Sequence, residues 1–260
     1  MQLLLTFSSK EPVILPLAYR QYIHGLIYAA LSPEISRLHD GGYIYDGRAY
    51  KLFTFGQLSG RHTVKDKKIV FTEGIRLEIR SPEPAIIQAL LHRFEPGAGA
   101  QIGKNTLVVK ACELKDEHIV SSGVLVRAVS PIVCYITKED GHTVFFSPGE
   151  KEFCRMLTMN AKRKYLSCHR AEAGNLLFDV SFEGGEVKKQ VTEFKGTIIT
   201  GYFGNFYLSG NPDVVDFLYN TGLGVKNSQG FGMFDLVVDR GIINQGLVPQ
   251  IENEYLSLCE

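Results

Sequence analysis

The sequence has few cysteines, and their spacing fits neither a metal site nor a set of disulfides. The chain of 260 residues contains five cysteines, an odd number, and no two of them form a C-x-x-C pair. Cys168 and His169 are adjacent, which is not the spacing of paired metal ligands. The sequence therefore predicts no metal, no cofactor and no disulfide framework.

Long apolar runs and an excess of one charge are also lacking. No apolar run reaches the roughly 18 residues that a membrane helix needs, and the first residues show neither the basic region nor the cleavage site of a signal peptide. We therefore expect a cytoplasmic protein. The 28 basic and 28 acidic residues give a formal net charge of zero. This balance argues against indiscriminate binding of polyanions but is compatible with a local basic face.

The first half of the chain shows an ordered series of strand and helix patterns. The helical pattern is carried by Ile23, Leu26, Ile27 and Ala30, which fall on one face of a helix. Pro84 is placed to open a second helix. In order, the sequence predicts a strand, a helix, two strands, a helix and a strand, over residues 2–8, 17–31, 50–56, 68–80, 85–94 and 106–115.

The same order recurs in the second half. A β-rich segment over residues 124–136 is expected to pair with residues 142–146. Helices are predicted over residues 150–165 and 211–219, and strands over residues 175–183, 188–199 and 234–238. Two consecutive βαββαβ patterns predict an α+β fold of two tandem ferredoxin-like (RRM-like) domains. We assign residues 1–120 to the first domain, residues 121–245 to the second, and residues 246–260 to a C-terminal tail.

A glycine-rich loop over residues 221–234 (TGLGVKNSQGFGMF) is the most distinctive passage. It lacks the glycine spacing of a dinucleotide fingerprint and the Gly-Lys-Ser/Thr of a P-loop. Backbone amides in such a loop can approach a polyanion closely, and polar side chains add donors. A turn that serves only the fold is the alternative. The loop residues predicted to bind are Gly222, Gly224, Lys226, Asn227, Ser228, Gln229, Gly230 and Gly232.

A basic segment over residues 153–170 contains no acidic residue. Basic residues interleaved with aromatic ones are suited to neutralising a nucleic-acid backbone and stacking on its bases. A solvated helix face is the alternative interpretation. The residues of this segment predicted to bind RNA are Arg155, Lys162, Arg163, Lys164 and Arg170.

Residues 224–233 (GVKNSQGFGM) resemble the C-terminal glycine-rich signature of the CRISPR-associated endoribonucleases that process repeat RNA, the Cas6 family. The resemblance extends to residues 22–28 (YIHGLIY), 38–39 (LH), 50–55 (YKLFTF) and 151–154 (KEFC), so it spans nearly the whole chain. Members of that family are built from two tandem ferredoxin-like domains. The resemblance therefore implies the same architecture as the pattern of strands and helices.

The resemblance also implies a catalytic set. RNA cleavage without a metal uses the 2′-hydroxyl as nucleophile and needs a general base, a general acid and a cation that offsets charge on the phosphorane. By resemblance, His39 is the general acid or base, Lys51 the charge-stabilising group and Tyr28 the orienting or proton-relaying group. Tyr28 lies off the buried stripe of its helix, and His24 lies on the same side one turn earlier, where we expect it to contact RNA.

The residues themselves leave alternatives open. Tyr28 is also compatible with packing beside its helix, His39 with a cap at a helix end, and Lys51 with a charge on an edge strand. The tyrosine role in particular is open, because three further tyrosines crowd the interval between His39 and Lys51, namely Tyr43, Tyr45 and Tyr50.

The resemblance implies a metal-independent endoribonuclease that cuts CRISPR repeats in a precursor transcript. The products would be guide-RNA units with 2′,3′-cyclic phosphate and 5′-hydroxyl ends. Besides this RNA, a multi-subunit CRISPR effector complex and a second copy of the chain are partner hypotheses. A subunit that holds repeat RNA without cutting it is the alternative function. A metal-dependent phosphodiesterase is a third, but it would need clustered carboxylates, which the pattern does not show.

Overall fold

The structure, a computed structural model, describes residues 1–31, 41–169, 176–237 and 243–245. The helices that lie wholly within these ranges are α1 (Arg20–Ala30), α2 (Pro84–Arg93), α3 (Lys151–Cys168) and α4 (Pro212–Thr221). Helices α2 and α4 begin with proline, whose missing amide N–H is not needed there. The side chain of Asn211 caps α4 by accepting a hydrogen bond from the amide of Asp213 (2.9 Å).

The strands are numbered along the chain. They are β1 (Gln2–Ser8), β2 (Val13–Pro16), β3 (Tyr43–Tyr45), β4 (Arg48–Tyr50), β5 (Thr54–Phe55), β6 (His62–Lys65), β7 (Lys68–Phe71), β8 (Ile75–Arg80), β9 (Gly99–Ile102), β10 (Asn105–Lys115), β11 (Glu117–Ile119), β12 (Gly123–Ala128), β13 (Tyr135–Thr137), β14 (Thr143–Phe145), β15 (Phe178–Phe182), β16 (Lys188–Phe194), β17 (Thr197–Phe203), β18 (Asn205–Gly210), β19 (Phe234–Leu236) and β20 (Ile243–Gln245).

The first sheet has the order β5–β8–β1–β10–β9, and all its neighbouring strands are antiparallel. Leu3, Leu5 and Phe7 alternate along the central strand β1 and are buried in one core with Ile27 of α1 and Leu90 of α2. Strands β1, β5, β8 and β10 are the four strands of one βαββαβ pattern. Their order across the sheet is that of a ferredoxin-like unit.

The second sheet repeats this arrangement with the order β15–β18–β12–β19, again antiparallel. Val124 and Val126 of β12 are buried with Phe153 and Leu157 of α3 and with Leu218 of α4. Strands β12, β15, β18 and β19 take the four positions that β1, β5, β8 and β10 take in the first sheet. The predicted α+β fold of two ferredoxin-like units is therefore confirmed.

Several predicted strands are wrong in detail, and glycine explains two of the breaks. The strand predicted over residues 68–80 divides into β7 and β8 before Gly74, where φ is +88° and a side chain would collide with the carbonyl oxygen of Phe7. The strand predicted over residues 188–199 is instead the hairpin β16–β17, which reverses at Lys195 and Gly196 with φ of 48° and 80°. Strand β18, between β12 and β15, has no counterpart in the prediction.

Buried hydrogen bonds join the two units. The side chain of Gln2 donates to Asn220 Oδ1 (2.8 Å), and Arg80 donates to the carbonyl oxygen of Phe234 (2.8 Å). The Arg20 side chain of α1 donates to the carbonyl oxygen of Gly230 (3.1 Å). The glycine-rich loop of the second unit is thereby held beside α1 of the first. None of the helices within the described ranges combines the length and the apolar character needed to cross a bilayer.

Candidate functional site

The glycine-rich loop packs against both units, and its glycines are required by that packing. Gly230 has φ of +87°, and a side chain there would collide with the ring of Phe55 in the first unit. Gly232 has φ of +79°, and a side chain there would collide with the carbonyl oxygen of Leu223. The glycines of the inner face of the loop therefore serve the fold, which is the structural alternative that the sequence left open.

Lys164 and Asn227 fix the conformation of the loop. Lys164 is 2% exposed, and its Nζ donates to the carbonyl oxygen of Gly222 (2.7 Å) and to Asn227 Oδ1 (2.6 Å). Asn227 Nδ2 donates to the carbonyl oxygens of Leu223 (2.9 Å) and Phe231 (3.0 Å). Burial lowers the pKa of Lys164 to about 7. The Lys164 ammonium group is thus held by two acceptors of the loop, and its predicted role in binding RNA stays a prediction.

The outer face of the loop borders a cavity of about 670 Å³, which we call the central cleft. Its walls come from both units: residues 48–51 from the first, and residues 135–137, Asn160, Lys164 and residues 224–229 from the second. The basic side chains that line the cleft are those of Arg48, Lys51, Lys164 and Lys226. The cleft therefore brings the predicted catalytic lysine and the predicted anion-binding loop into one space.

A second cavity of about 210 Å³, the arginine cavity, adjoins the central cleft and shares Arg48 and Asn160 with it. Arg155 and Arg163 of α3, which belong to the basic segment, line it, and Arg163 also pairs with Asp46 (3.0 Å). Among the described residues, no aspartate or glutamate lines either cavity. The two cavities together form a basic trough that suits a polyanion.

Tyr28 lies in an aromatic cluster on α1. Its ring stacks on that of His24 with centroids 4.0 Å apart, and it meets the ring of Phe53 edge-on at 6.2 Å. The ring of His24 also contacts Phe194 in the β16–β17 hairpin (5.4 Å). Burial, together with the nearby cations Lys195 and Lys51, lowers the pKa of His24 to about 4. His24 is therefore neutral at pH 7 and lies close to Lys51.

The alternative tyrosines differ in their surroundings. The hydroxyl of Tyr43 is hydrogen-bonded to Glu83, and burial together with this bond raises its pKa to about 12. Tyr45 packs with Tyr43 against the core of the second unit. Tyr50 lines the central cleft, and burial raises its pKa. Of the four candidate tyrosines, Tyr50 thus lines the central cleft, and Tyr28 stacks on His24, which lies close to Lys51. The choice of the assisting tyrosine stays a prediction.

The remaining predicted residues differ in their relation to the cleft, and two of them lie outside the described ranges. His39 and Arg170 fall outside the described residues. Lys162 is half-buried and lines neither cavity, whereas Gly224, Ser228 and Gln229 line the central cleft. The described part of the chain holds no group of three or more His, Cys, Asp or Glu side chains that could bind a metal ion.

The cleft residues that the sequence patterns missed include Arg48, Tyr135 and Asn160. Arg48 follows a two-residue hairpin turn at Asp46 and Gly47, with φ of 50° and 70°, and an Asp-Gly turn is a recognisable sequence signal. Asn160 precedes Lys164 by one turn of α3, so the spacing alone places both on one face. No comparable signal marks Tyr135.

A family model and two curated relatives that match this chain all carry the name Cas6. The family model described as "CRISPR associated protein Cas6, C-terminal" matches residues 114–236. The "CRISPR-associated endoribonuclease Cas6 1" of Methanocaldococcus jannaschii is 24% identical over 267 aligned positions, which cover 96% of this chain and 98% of that protein. The "CRISPR-associated endoribonuclease Cas6" of Pyrococcus furiosus is 23% identical over 224 positions, covering 84% of this chain and 82% of the relative.

Solved structures share the fold over nearly the full length. The structure described as "Characterization of a Cas6-related gene from Pyrococcus furiosus" superposes with a TM-score of 0.77 at 20% identity, covering 92% of this chain and 99% of that one. The structure described as "CRISPR associated protein Cas6" gives a TM-score of 0.72 at 24% identity, with the same coverage. The two ferredoxin-like units, the glycine-rich loop between them and these matches together support the chain as a member of the Cas6 family.

Proposed function

We propose that the protein is a metal-independent endoribonuclease that cuts CRISPR repeat RNA in a precursor transcript and releases guide-RNA units. The observation that carries this proposal is the central cleft, where Lys51 of the first unit faces the glycine-rich loop of the second. Both curated relatives are named CRISPR-associated endoribonucleases. We further propose that it acts in the cytoplasm, with a multi-subunit effector complex or a second copy of the chain as partner.

The chemistry follows from the residue types. The 2′-hydroxyl attacks the adjacent phosphorus, the bond to the 5′-oxygen breaks, and the products are a 2′,3′-cyclic phosphate and a 5′-hydroxyl. In this proposal His39 transfers protons, since a histidine of ordinary pKa near 6.5 can act as either acid or base at neutral pH. Lys51 offsets the charge that develops on the phosphorane. Tyr28 orients the reacting group or relays a proton.

The basic trough would hold the RNA backbone on either side of the scissile phosphate. Lys226 and Arg155 line it, and each can neutralise a phosphate and release a counterion, whereas Arg163 would exchange its partner Asp46 for a phosphate. Backbone contacts of this kind set the position of the RNA without reading its bases. The trough therefore supports binding along the strand, and the residues near Lys51 support cutting.

The test of the proposed function is incubation of the purified protein with a repeat-containing transcript in excess chelator. We expect cleavage at one site in each repeat, with a cyclic phosphate on the upstream product that end-group analysis identifies. Binding without cleavage would instead indicate an RNA-holding subunit. Cleavage that requires added Mg²⁺ or Mn²⁺ would indicate a metal-dependent phosphodiesterase. Either result would contradict the proposal.

Replacing Lys226 with alanine tests the trough as the path of the RNA. Lys226 is half-buried at the cleft, and its Nζ lies 5.4 Å from the ring of Tyr135. We expect weaker binding of repeat RNA and a salt dependence of log Kd that is shallower by about one, because one phosphate contact is lost. Filter binding between 50 and 300 mM salt, roughly the range where such slopes are measured, gives both values.

The matched control is Lys10→Ala, which removes an exposed lysine that lines neither cavity. It should leave the salt slope unchanged. Equal slopes for the wild-type protein and the Lys226→Ala variant would show that the RNA backbone does not pass Lys226.

A further inference from the structure

Three residues that line the central cleft carry enclosed polar atoms without partners. In the described part of the chain, four enclosed side-chain polar atoms have no hydrogen-bond partner, and three of them belong to residues of the central cleft: Tyr50 Oη, Asn160 Oδ1 and Gln229 Oε1. Enclosed polar atoms are paired in most proteins, and an unpaired one costs about 1–3 kcal/mol. Three such atoms on residues of one cavity point to a ligand that pairs with them when these side chains turn toward the cleft.

The type of these atoms restricts the ligand. Two of them are amide carbonyl oxygens, which accept hydrogen bonds and cannot donate. A phosphate group also offers only acceptors at its anionic oxygens, so the RNA backbone phosphates would repel these atoms rather than satisfy them. The donors of RNA are the N–H groups of its bases and the 2′-hydroxyl. Asparagine and glutamine amides are moreover the side chains that pair bidentately with the edge of adenine.

An aromatic surface and sufficient room accompany the amides. Tyr135 is half-buried and lines the same cleft, so its ring offers a platform on which a base can stack. The cleft volume of about 670 Å³ lies within the range of pockets that enclose a small organic ligand. Lys51 and Lys226 lie on the same walls and add positive charge near the phosphates that would flank an inserted base.

We propose that the central cleft is a base-reading pocket: it takes one unpaired nucleotide of the repeat, and the side-chain amides of Asn160 and Gln229 select a base with an exocyclic amino group, adenine in particular, over uracil. This inference rests on the proposed function for the identity of the RNA. It adds a determinant of sequence specificity that the phosphate contacts of the trough do not supply.

The experiment is a uridine scan of the single-stranded nucleotides around the scissile phosphate. With the wild-type protein, uridine at one position should lower kcat/KM by about 5- to 150-fold, the usual worth of one bidentate contact to a base. In the Asn160→Ala and Gln229→Ala variants, this penalty should shrink at that position while penalties elsewhere persist. The control is Gln88→Ala, which removes an exposed amide on α2 and should keep the wild-type pattern.

Two results would overturn the inference. One is a wild-type scan without any uridine-sensitive position, and the other is a penalty that the cleft variants leave unchanged. Variants that melt early are replaced by Asn160→Leu and Gln229→Met, which keep the side-chain volume. Binding of the oligonucleotides A10 and U10 provides a measurement that does not need cleavage: preference for A10 should fall in the variants. If the wild-type protein cuts no repeat, the proposed function fails, and this binding preference still decides whether the pocket reads bases.

Discussion

Replacing His39 with alanine is expected to lower the single-turnover rate of repeat cleavage by about 10²- to 10⁴-fold, the usual contribution of a positioned general acid or base. The affinity for the repeat should stay close to that of the wild-type protein, because Lys226, Arg155 and Arg163 supply the backbone contacts in the proposed trough. Rapid-quench cleavage and filter binding on the same RNA separate the two effects. Loss of binding together with cleavage would assign His39 to the interface instead.

His24 is the rival that this experiment must address, because it stacks on Tyr28 and lies close to Lys51. Its pKa of about 4 gives a distinct signature. If His24 were the essential base, the rate would fall only as the pH drops toward 4 and would be flat near pH 6.5. If His39 has an ordinary histidine pKa, the transition lies near 6.5.

We expect the wild-type profile to change near pH 6.5, and His24→Ala to keep that transition while lowering the rate less than His39→Ala does. His92→Ala, which removes an exposed imidazole on α2, is the neutral control. A profile that is flat down to pH 5, combined with a larger loss in His24→Ala, would move the proton-transfer role to His24.

The fold was predictable from sequence where periodicity is local. Leu3, Leu5 and Phe7 alternate within one strand, and Ile23 and Ile27 repeat within one helix, so each pattern carries its own element. The β16–β17 hairpin and strand β18 were not predicted, because Lys195–Gly196, Gly204 before β18 and Gly210 at its end interrupt patterns that are short and only partly apolar. Such strands form because they pair with strands far away in the sequence, and hydrophobic periodicity gives no information on which strands pair.

The site was predictable only in part for the same reason. The structure places Lys51, which the resemblance assigns to the catalytic set, in one cleft with the glycine-rich loop, whereas His39 lies outside the described residues. The burial of Lys164 could not be predicted, because its partners Gly222 and Asn227 lie 58 and 63 residues further along the chain. In sequence it is one more cation in a basic run. Only the tertiary structure separates it from Arg163, which lines the arginine cavity beside it.

Replacing Lys164 with methionine is expected to destabilise the protein strongly. The carbonyl oxygen of Gly222 and the side-chain oxygen of Asn227 would lose a buried donor, at about 1–3 kcal/mol for each acceptor. For a chain of this size, such a loss lowers the Tm by roughly 5–15 °C. Lys162→Met, a change two residues away at a half-buried position outside both cavities, should shift the Tm only slightly. Thermal melts at pH 7 compare the two variants.

The pH dependence of the Tm difference between the wild-type protein and the Lys164→Met variant distinguishes a buried lysine from a surface lysine. Burial lowers the pKa of Lys164 to about 7 in the folded protein, while in the unfolded chain it returns to about 10.4. Between these values the unfolded state binds more protons, so the free energy of unfolding rises with pH, by up to about 1.4 kcal/mol per pH unit. Below pH 7 both states are protonated and the slope vanishes. The Tm gap between the wild-type protein and Lys164→Met should therefore widen from pH 7 to pH 9, whereas parallel curves would mean that Lys164 keeps its charge at an accessible site.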